Sequence, residues 1–361
     1  MSALVLVTGG AGFIGSHVVD ELVAAGYRVR VLDSLHGLAH DERPGYLNPE
    51  AEYVWGDVRD PGVVTAAVAG ADAISHQAAM VGLGTGLADM PDYVAENSLG
   101  TAVLLRALAE RRFAGSLVLA SSMVVYGEGR YRCPSDGLVA PGPRPAEQLG
   151  LGRFEPPCPR CGLTLEPASV PEDARLDPRN TYAVTKLNQE HLCSVYGRET
   201  GSRVIALRYH NVYGARMPRE TPYAGVASIF RSALEAGRPP TVFEDGGQLR
   251  DFVQVRDVAR ANRLAIEAPS GVAGAFNIAS GTPRSVGDLA RELARAIDGP
   301  EPRVSGEFRL GDVRHVFASA ARAREQLGFK AEIGFADGVA SFAAAPLRSA
   351  AFEATGRAGL R

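Results

Sequence analysis

Lysine is almost missing. Of 38 basic residues only Lys186 and Lys330 are lysines and the rest are arginines, so each lysine stands out as a choice of chemistry. Cysteine is scarce too. Four in 361 residues exclude a disulfide framework and leave their spacing to be read as something else. Neither sign of charge dominates: 41 acidic residues against 38 basic ones give a net charge of −3. Nucleic acid and anionic membrane surfaces are therefore not expected as partners. No run of about 18 apolar residues occurs, so no membrane span is expected. Thr8 and the glycines after it interrupt the apolar N-terminal run before it reaches the length of a secretory signal, so a soluble, cytoplasmic protein is the expectation. What the chain has is bulk. With 46% hydrophobic residues it can bury a full core, and at this length one large or two fused lobes are expected.

Val5 to His17 reads as an apolar strand, a glycine turn and a helix start. Gly9, Gly12 and Gly15 sit three apart, a spacing that permits a tight turn and close approach of backbone N–H groups to a pyrophosphate at a helix N-terminus. A helical pattern follows, then Gly26, then a second apolar strand from Val29 to Leu32 that ends in Asp33. A carboxylate about 20 residues past such a turn accepts hydrogen bonds from an adenosine ribose and repels a 2′-phosphate, which favours NAD over NADP.

Strands then alternate with helices: Ala51 to Gly56, Val63 to Val68, Ala71 to Ser75, a long helical region from about Pro91 to Arg112, and Leu117 to Ser121. That alternation predicts an α/β fold with a doubly wound parallel sheet of the Rossmann type. At strand ends, Asp57 and Val58 can hold an adenine, and Ala78 and Ala79 are small where a cofactor backbone must pass. Residues 127–178 break the pattern. They are rich in proline, carry Cys133, Cys158 and Cys161 and show no sustained apolar period, so they read as a surface insertion without a core of its own. Helical periodicity resumes from about Asn180 to Glu199. The expected organisation is a cofactor domain over 1–215 holding the insertion, a smaller lobe over 216–345 with a strand or helix returning to the first domain, and a poorly ordered tail over 346–361.

Tyr182 and Lys186 stand at i and i+4 on that helix, hence on one face. A phenol must drop from a pKa of about 10 toward 7 to act as a base, a differential of roughly 4 kcal/mol. One cation at about 6 Å contributes on the order of 3 kcal/mol at an effective dielectric near 20. Lys186 with an oxidised nicotinamide ring suffices, and arginine is a poorer fit between ribose hydroxyls.

With the glycine turn, Asp33, Ser121-Ser122 before Val125-Tyr126-Gly127, Tyr182 to Lys186, and Arg208 to Gly214 in this order, the chain resembles the extended short-chain dehydrogenase/reductase family. The resemblance covers about residues 3–335 outside the insertion and implies Ser122, Tyr182 and Lys186 as catalytic residues. It also implies cofactor contacts from Gly9, Gly12, Phe13, Ile14, Gly15 and Asn97. Within that family the nucleotide-sugar epimerases match further: Asn211, Arg250, Arg309 and Asp312 fall at diphosphate and nucleoside positions, and two arginines suit a diphosphate. Gln254 stands where many relatives have histidine. After Ser122 the family's sugar dehydratases carry an Asp-Glu pair; here Met123 and Val124 cannot shuttle protons, and an apolar pair suits a 6-deoxy methyl group as well as plain packing.

Cys158-Pro159-Arg160-Cys161 resembles half of a zinc ribbon, with Cys133 as a third ligand and Asp136 as a candidate fourth. An insertion at this place is similar to that of the dTDP-L-rhamnose 4-epimerase group, where a histidine commonly stands near the first cysteine. The implied protein is an NAD-dependent nucleotide-sugar 4-epimerase acting on a dTDP-6-deoxyhexose such as dTDP-L-rhamnose, with a structural zinc in its insertion, dimerising through the helices near 91–112 and 180–199. A nucleotide-sugar ketoreductase, a UDP-hexose or uronate 4-epimerase and a non-catalytic NAD-sensing or zinc-ribbon protein remain alternatives. Retention of Ser122, Tyr182 and Lys186 together speaks against the last.

Overall fold

The computed structural model describes residues 2–37, 39–40, 42–82, 87–219 and 225–348. A seven-stranded sheet runs in the order Gly274–Ile278, Arg203–Tyr209, Ser116–Ser122, Ala73–His76, Leu4–Thr8, Arg28–Asp33, Glu52–Trp55. Every pairing in it is parallel. Parallel strands need crossovers that cover both faces, and alternate residues serve the two layers. Val5 and Val7 pack with the helices Phe13–Ala24 and Val255–Glu267, while Leu6 between them packs with Pro61–Ala67, Gly100–Glu110 and Thr181–Thr200. Cys193 is fully buried in the second layer as an apolar side chain. The order reverses between Leu4–Thr8 and Ala73–His76, so a crevice opens at their carboxyl ends, where ligands of doubly wound sheets bind. The long helical region near 91–112 is real but carries one wide π turn over Val94–Leu99 between Met90–Tyr93 and Gly100–Glu110.

A second layer of structure caps those carboxyl ends. The helices Val226–Glu235, Val286–Ile297 and Phe335–Ala344 bury Phe230, Leu234, Leu289, Leu293, Val339 and Phe342 against Tyr213 and Phe252. Ser285 and Asp288 close a capping box at the start of the second helix, each side chain taking the other's backbone N–H at 2.9 Å. The chain between these helices returns to the first layer: Gly274–Ile278 is an edge strand of the main sheet, and Ala321–Leu327 packs behind it. Of the tail, residues from 349 on lie outside the described residues, whereas Leu347 is buried and Arg348 pairs with Pro218.

The insertion differs from its reading in sequence. Arg130–Cys133, Gly137–Val139 and Glu166–Ala168 form a three-stranded antiparallel sheet, and Tyr131, Cys133, Val139, Cys158 and Leu165 make a small core. Each strand is three or four residues long, too short to print a period on the sequence. Among the described residues no helix is long and apolar enough to cross a membrane.

Candidate active site

One cavity of about 770 Å³ runs from the glycine turn along the sheet's carboxyl edge and beneath the capping lobe. Its first half follows from close packing. Gly9 sits at φ +67°, and a Cβ there would meet the Ala78 nitrogen at 2.7 Å; a Cβ on Gly15 would lie 2.1 Å from the Gly9 carbonyl oxygen. Only glycine lets the strand, turn and helix come this near. The helix Phe13–Ala24 starts without a capping side chain and without an acid in its first turn, so its first N–H groups are left for an external anion. Asp33 is buried at the next strand end. Its carboxylate accepts the Ala11 N–H at 2.9 Å and the Leu35 N–H at 2.8 Å, and burial raises its pKa against those bonds. Asp57 also reaches the cavity, where Arg59 holds its carboxyl below the usual range.

Gly9, Gly12, Phe13, Ile14, Gly15, Asp33, Asp57, Val58, Ala78 and Ala79 all line this half. Asn97, placed at the cofactor by sequence, does not. It is fully buried behind the wall on the π turn, where its amide accepts the Met80 N–H at 2.7 Å and donates to the Met80 carbonyl at 3.0 Å and to Thr185 at 2.9 Å. It ties the loop after Ala79 to the tyrosine helix. Tyr46 and Arg348 went unread in the sequence. Tyr46 donates to the Ala11 carbonyl at 2.8 Å, and Arg348, which lines the cavity, donates to Tyr46 at 3.3 Å. No motif marks residues brought together from so far apart.

Ser122, Tyr182 and Lys186 meet in the middle of the cavity. Ser122 ends its strand, accepting the Val124 N–H at 3.4 Å. Asn180 caps the helix Thr181–Thr200 by accepting the Ala183 N–H at 2.9 Å, and Gly201 at φ +74° stops it. One turn apart on this helix, the Lys186 ammonium lies 5.9 Å from the Tyr182 ring centre and donates to the Ala120 carbonyl at 2.9 Å. Burial pushes the phenol up to about 12, with the Ser122 hydrogen bond opposing it, and pushes the ammonium down to about 7. Ser121, beside Ser122, points the other way and donates to Glu190, which pairs with Arg208 at 2.8 Å.

The far half belongs to the capping lobe. Met123, Val124, Asn211, Arg250, Arg309 and Asp312 all line it. Arg250 is half-buried, and its guanidinium donates to the carbonyls of Leu249, Arg314 and Val313 at 2.8, 2.9 and 2.6 Å. Arg309 lies 4.9 Å over the ring of Phe243, a cavity residue that sequence reasoning missed.

Outside the cavity, the insertion gathers Cys133, Asp136, Cys158 and Cys161. One ligand atom from each lies within 4.8 Å of all the others. The Cys133 and Cys161 sulfurs are 3.4 Å apart, and Asp136 lies 3.2 Å from the Cys158 sulfur. Three thiols and a carboxylate at this spacing fit one tetrahedral ion, whose sulfur ligands stand about 3.8 Å apart when each bond is about 2.3 Å.

The sequence matches the NAD dependent epimerase/dehydratase family over residues 5–147 and 164–279. It is 34% identical over 342 residues to a dTDP-L-rhamnose 4-epimerase of Burkholderia thailandensis, covering 93% of this chain and 92% of that protein. To a UDP-glucose 4-epimerase of Mycolicibacterium smegmatis it is 32% identical over 339 residues, covering 93% and 96%. Among solved structures it resembles the Thermotoga maritima UDP-glucose 4-epimerase with UDP-glucose, at a TM-score of 0.77 and 28% identity over 94% of this chain and 97% of that one. The Thermus thermophilus UDP-glucose 4-epimerase complex with NAD superposes at a TM-score of 0.73, with 29% identity over 94% and 97%.

Proposed function

The chain belongs to the NAD dependent epimerase/dehydratase family, and from that premise we propose that it interconverts the C4 epimers of a nucleotide-linked sugar, its substrate being a dTDP-6-deoxyhexose such as dTDP-L-rhamnose. The observation that carries this reading is the meeting of Ser122, Tyr182 and Lys186 in one cavity, between a glycine turn fit for a dinucleotide and an arginine-bearing wall fit for a second nucleotide. The uncapped helix start and the glycine packing suit NAD, and Asp33 favours it over its 2′-phosphorylated form. NAD held there would supply the two-electron acceptor for sugar carbon 4 and the donor for its return. Tyr182, as phenolate, takes the proton from the sugar 4-hydroxyl, which the Ser122 hydroxyl orients by a hydrogen bond. Lys186 lowers the phenol's pKa through its charge and holds the nicotinamide ribose. The 4-keto sugar then turns about its diphosphate link, and Tyr182 gives the proton back.

Met123 and Val124 support a 6-deoxy sugar, since their side chains, which line the cavity beside Ser122, offer a 6-hydroxyl no hydrogen bond. The likeness to the Burkholderia thailandensis enzyme supports the same choice. A structural zinc at Cys133, Asp136, Cys158 and Cys161 and a homodimer complete the proposal. The test is mass spectrometry of the nucleotide released on denaturation, with NMR of the products formed from a panel of dTDP- and UDP-sugars. NAD and an epimer of a dTDP-6-deoxyhexose are expected. Net reduction that depends on added NADPH would make the protein a ketoreductase, and preferred turnover of a UDP-hexose would overturn the substrate.

A further inference from the structure

The insertion is bolted to the far wall of the cavity through buried charge. Arg144, 4% exposed in its side chain, grips the Glu244 carboxylate with both prongs at 3.0 and 2.8 Å. Its other contacts are the carbonyls of Phe154, at 3.1 Å, and of Asp312, at 2.8 Å. Glu244 is itself unusual. It is buried at φ +53°, a left-handed conformation that a non-glycine residue holds only where its surroundings impose it. Arg144 and Arg314 supply the imposition, the latter donating to the same carboxylate at 2.9 Å. Directly before Glu244 stands Phe243, whose ring carries the Arg309 guanidinium, and both line the cavity.

A second set of contacts ties this wall to the metal knuckle. Glu155 accepts from Arg314 at 2.8 Å and lies 2.9 Å from His315, and the Tyr131 hydroxyl accepts the His315 N–H at 3.2 Å. Tyr131 lies two residues before Cys133, and Glu155 three before Cys158. An ion joining those cysteines therefore holds the roots of the side chains that brace Arg314 and His315.

We infer that the insertion is a positioning element of the nucleotide subsite: Arg144, acting through Glu244, sets Phe243 and the loop Arg309 to Asp312 in the shape that receives the nucleotide. This rests on the nucleotide-sugar reading above. Arg144 is a positioning residue, because Glu244 and the Asp312 carbonyl stand between it and the cavity wall.

The test uses the holoenzyme with Arg144→Ala, Glu244→Gln and the double variant. Readouts are kcat and KM for the nucleotide sugar, calorimetric binding of dTDP and of UDP, and bound NAD. Contacting residues couple strongly enough that each single change should raise KM and the dTDP dissociation constant roughly 3- to 100-fold. The expected kcat stays within about threefold on the same ground, with NAD content unaltered and the double variant no worse than the poorer single. Chelator-stripped wild type should shift dTDP binding in the same direction. If Arg144→Ala loses NAD and folds poorly, Arg144→Lys replaces it, keeping the charge without the two-pronged grip; a KM like wild type in that variant overturns the inference. So does a fall in kcat at constant KM, or stripped protein that binds dTDP as wild type does. Wild type that binds neither dTDP nor UDP would instead overturn the substrate reading on which this rests.

Discussion

Tyr182 and Lys186 carry pKa values moved in opposite directions by the same cause. Burial disfavours whichever form is charged, so the phenol goes up to about 12 and the ammonium down to about 7. A phenol at about 12 does little as a base near neutral pH. Each group would gain from the other's charge, and in the proposed mechanism the cationic nicotinamide would add its field to that of Lys186. Removing the phenol oxygen should therefore remove the proton transfer and leave the cofactor in place. Tyr182→Phe is expected to lose roughly 10²- to 10⁴-fold in turnover while retaining NAD, with initial rates and released nucleotide measured on one preparation. A second residue-scale consequence concerns stability. His76 is buried at the switch point, its Nδ1 2.7 Å from the Thr8 hydroxyl and its Nε2 2.9 Å from the Thr101 hydroxyl. Thr101 donates to the Asn97 carbonyl, so it accepts from Nε2–H and the ring is neutral with Nδ1 as acceptor. Burial, assisted by the Lys186 charge, takes its pKa down to about 3. Below pH 6.5 the unfolded chain binds a proton that the folded one refuses, so stability falls with falling pH, by about 2 kcal/mol for this histidine between pH 6.5 and 5. His210, held down to about 4 by burial, acts in the same sense. Denaturant midpoints should thus drop between pH 7 and 5, and His76→Gln should flatten the drop; an unchanged slope would remove His76 from the account.

At the scale of elements, the insertion is where reading by period failed. Three strands of three or four residues around Tyr131 and Leu165 bury too little to be stable alone. The proposed metal ion would repair this, because its binding free energy would become local folding free energy. Cys158→Ser with Cys161→Ser should remove about one equivalent of zinc and open residues 127–178 to protease. Elemental analysis that finds no zinc in protein prepared without chelator would remove the site. The wide turn over Val94–Leu99 is a second feature of this scale. It sets Asn97 to accept the Met80 N–H and to donate to the Met80 carbonyl, a geometry that i, i+4 spacing cannot announce.

At the scale of the whole molecule, the helices of the tyrosine layer present apolar side chains outward. Met90, Val94, Leu99, Val184 and Val195 are each at least 41% exposed. A second copy pairing these helices about a twofold axis would cover them, which is the proposed dimer. Light scattering at micromolar concentration should give twice the chain mass, and Leu99→Glu should shift it toward the monomer. Monomeric wild type would contradict the proposal.

Local chemistry was readable without a structure. The glycine turn, Asp33 and the Tyr182 to Lys186 spacing each depend on neighbours within one strand, turn or helix, so chain geometry places them, whereas Ser122 was read from the family resemblance. Strand alternation also implied the sheet, because parallel strands admit few topologies. The tertiary structure alone decided what crosses long intervals of chain. Arg144 meets Glu244 across 100 residues and Asp312 across 168, and Arg348 meets Tyr46 across 302. Such contacts leave no period, since their partners are set by how layers pack. The same cause set Asn97 behind the cavity wall, bonded to Met80 and Thr185.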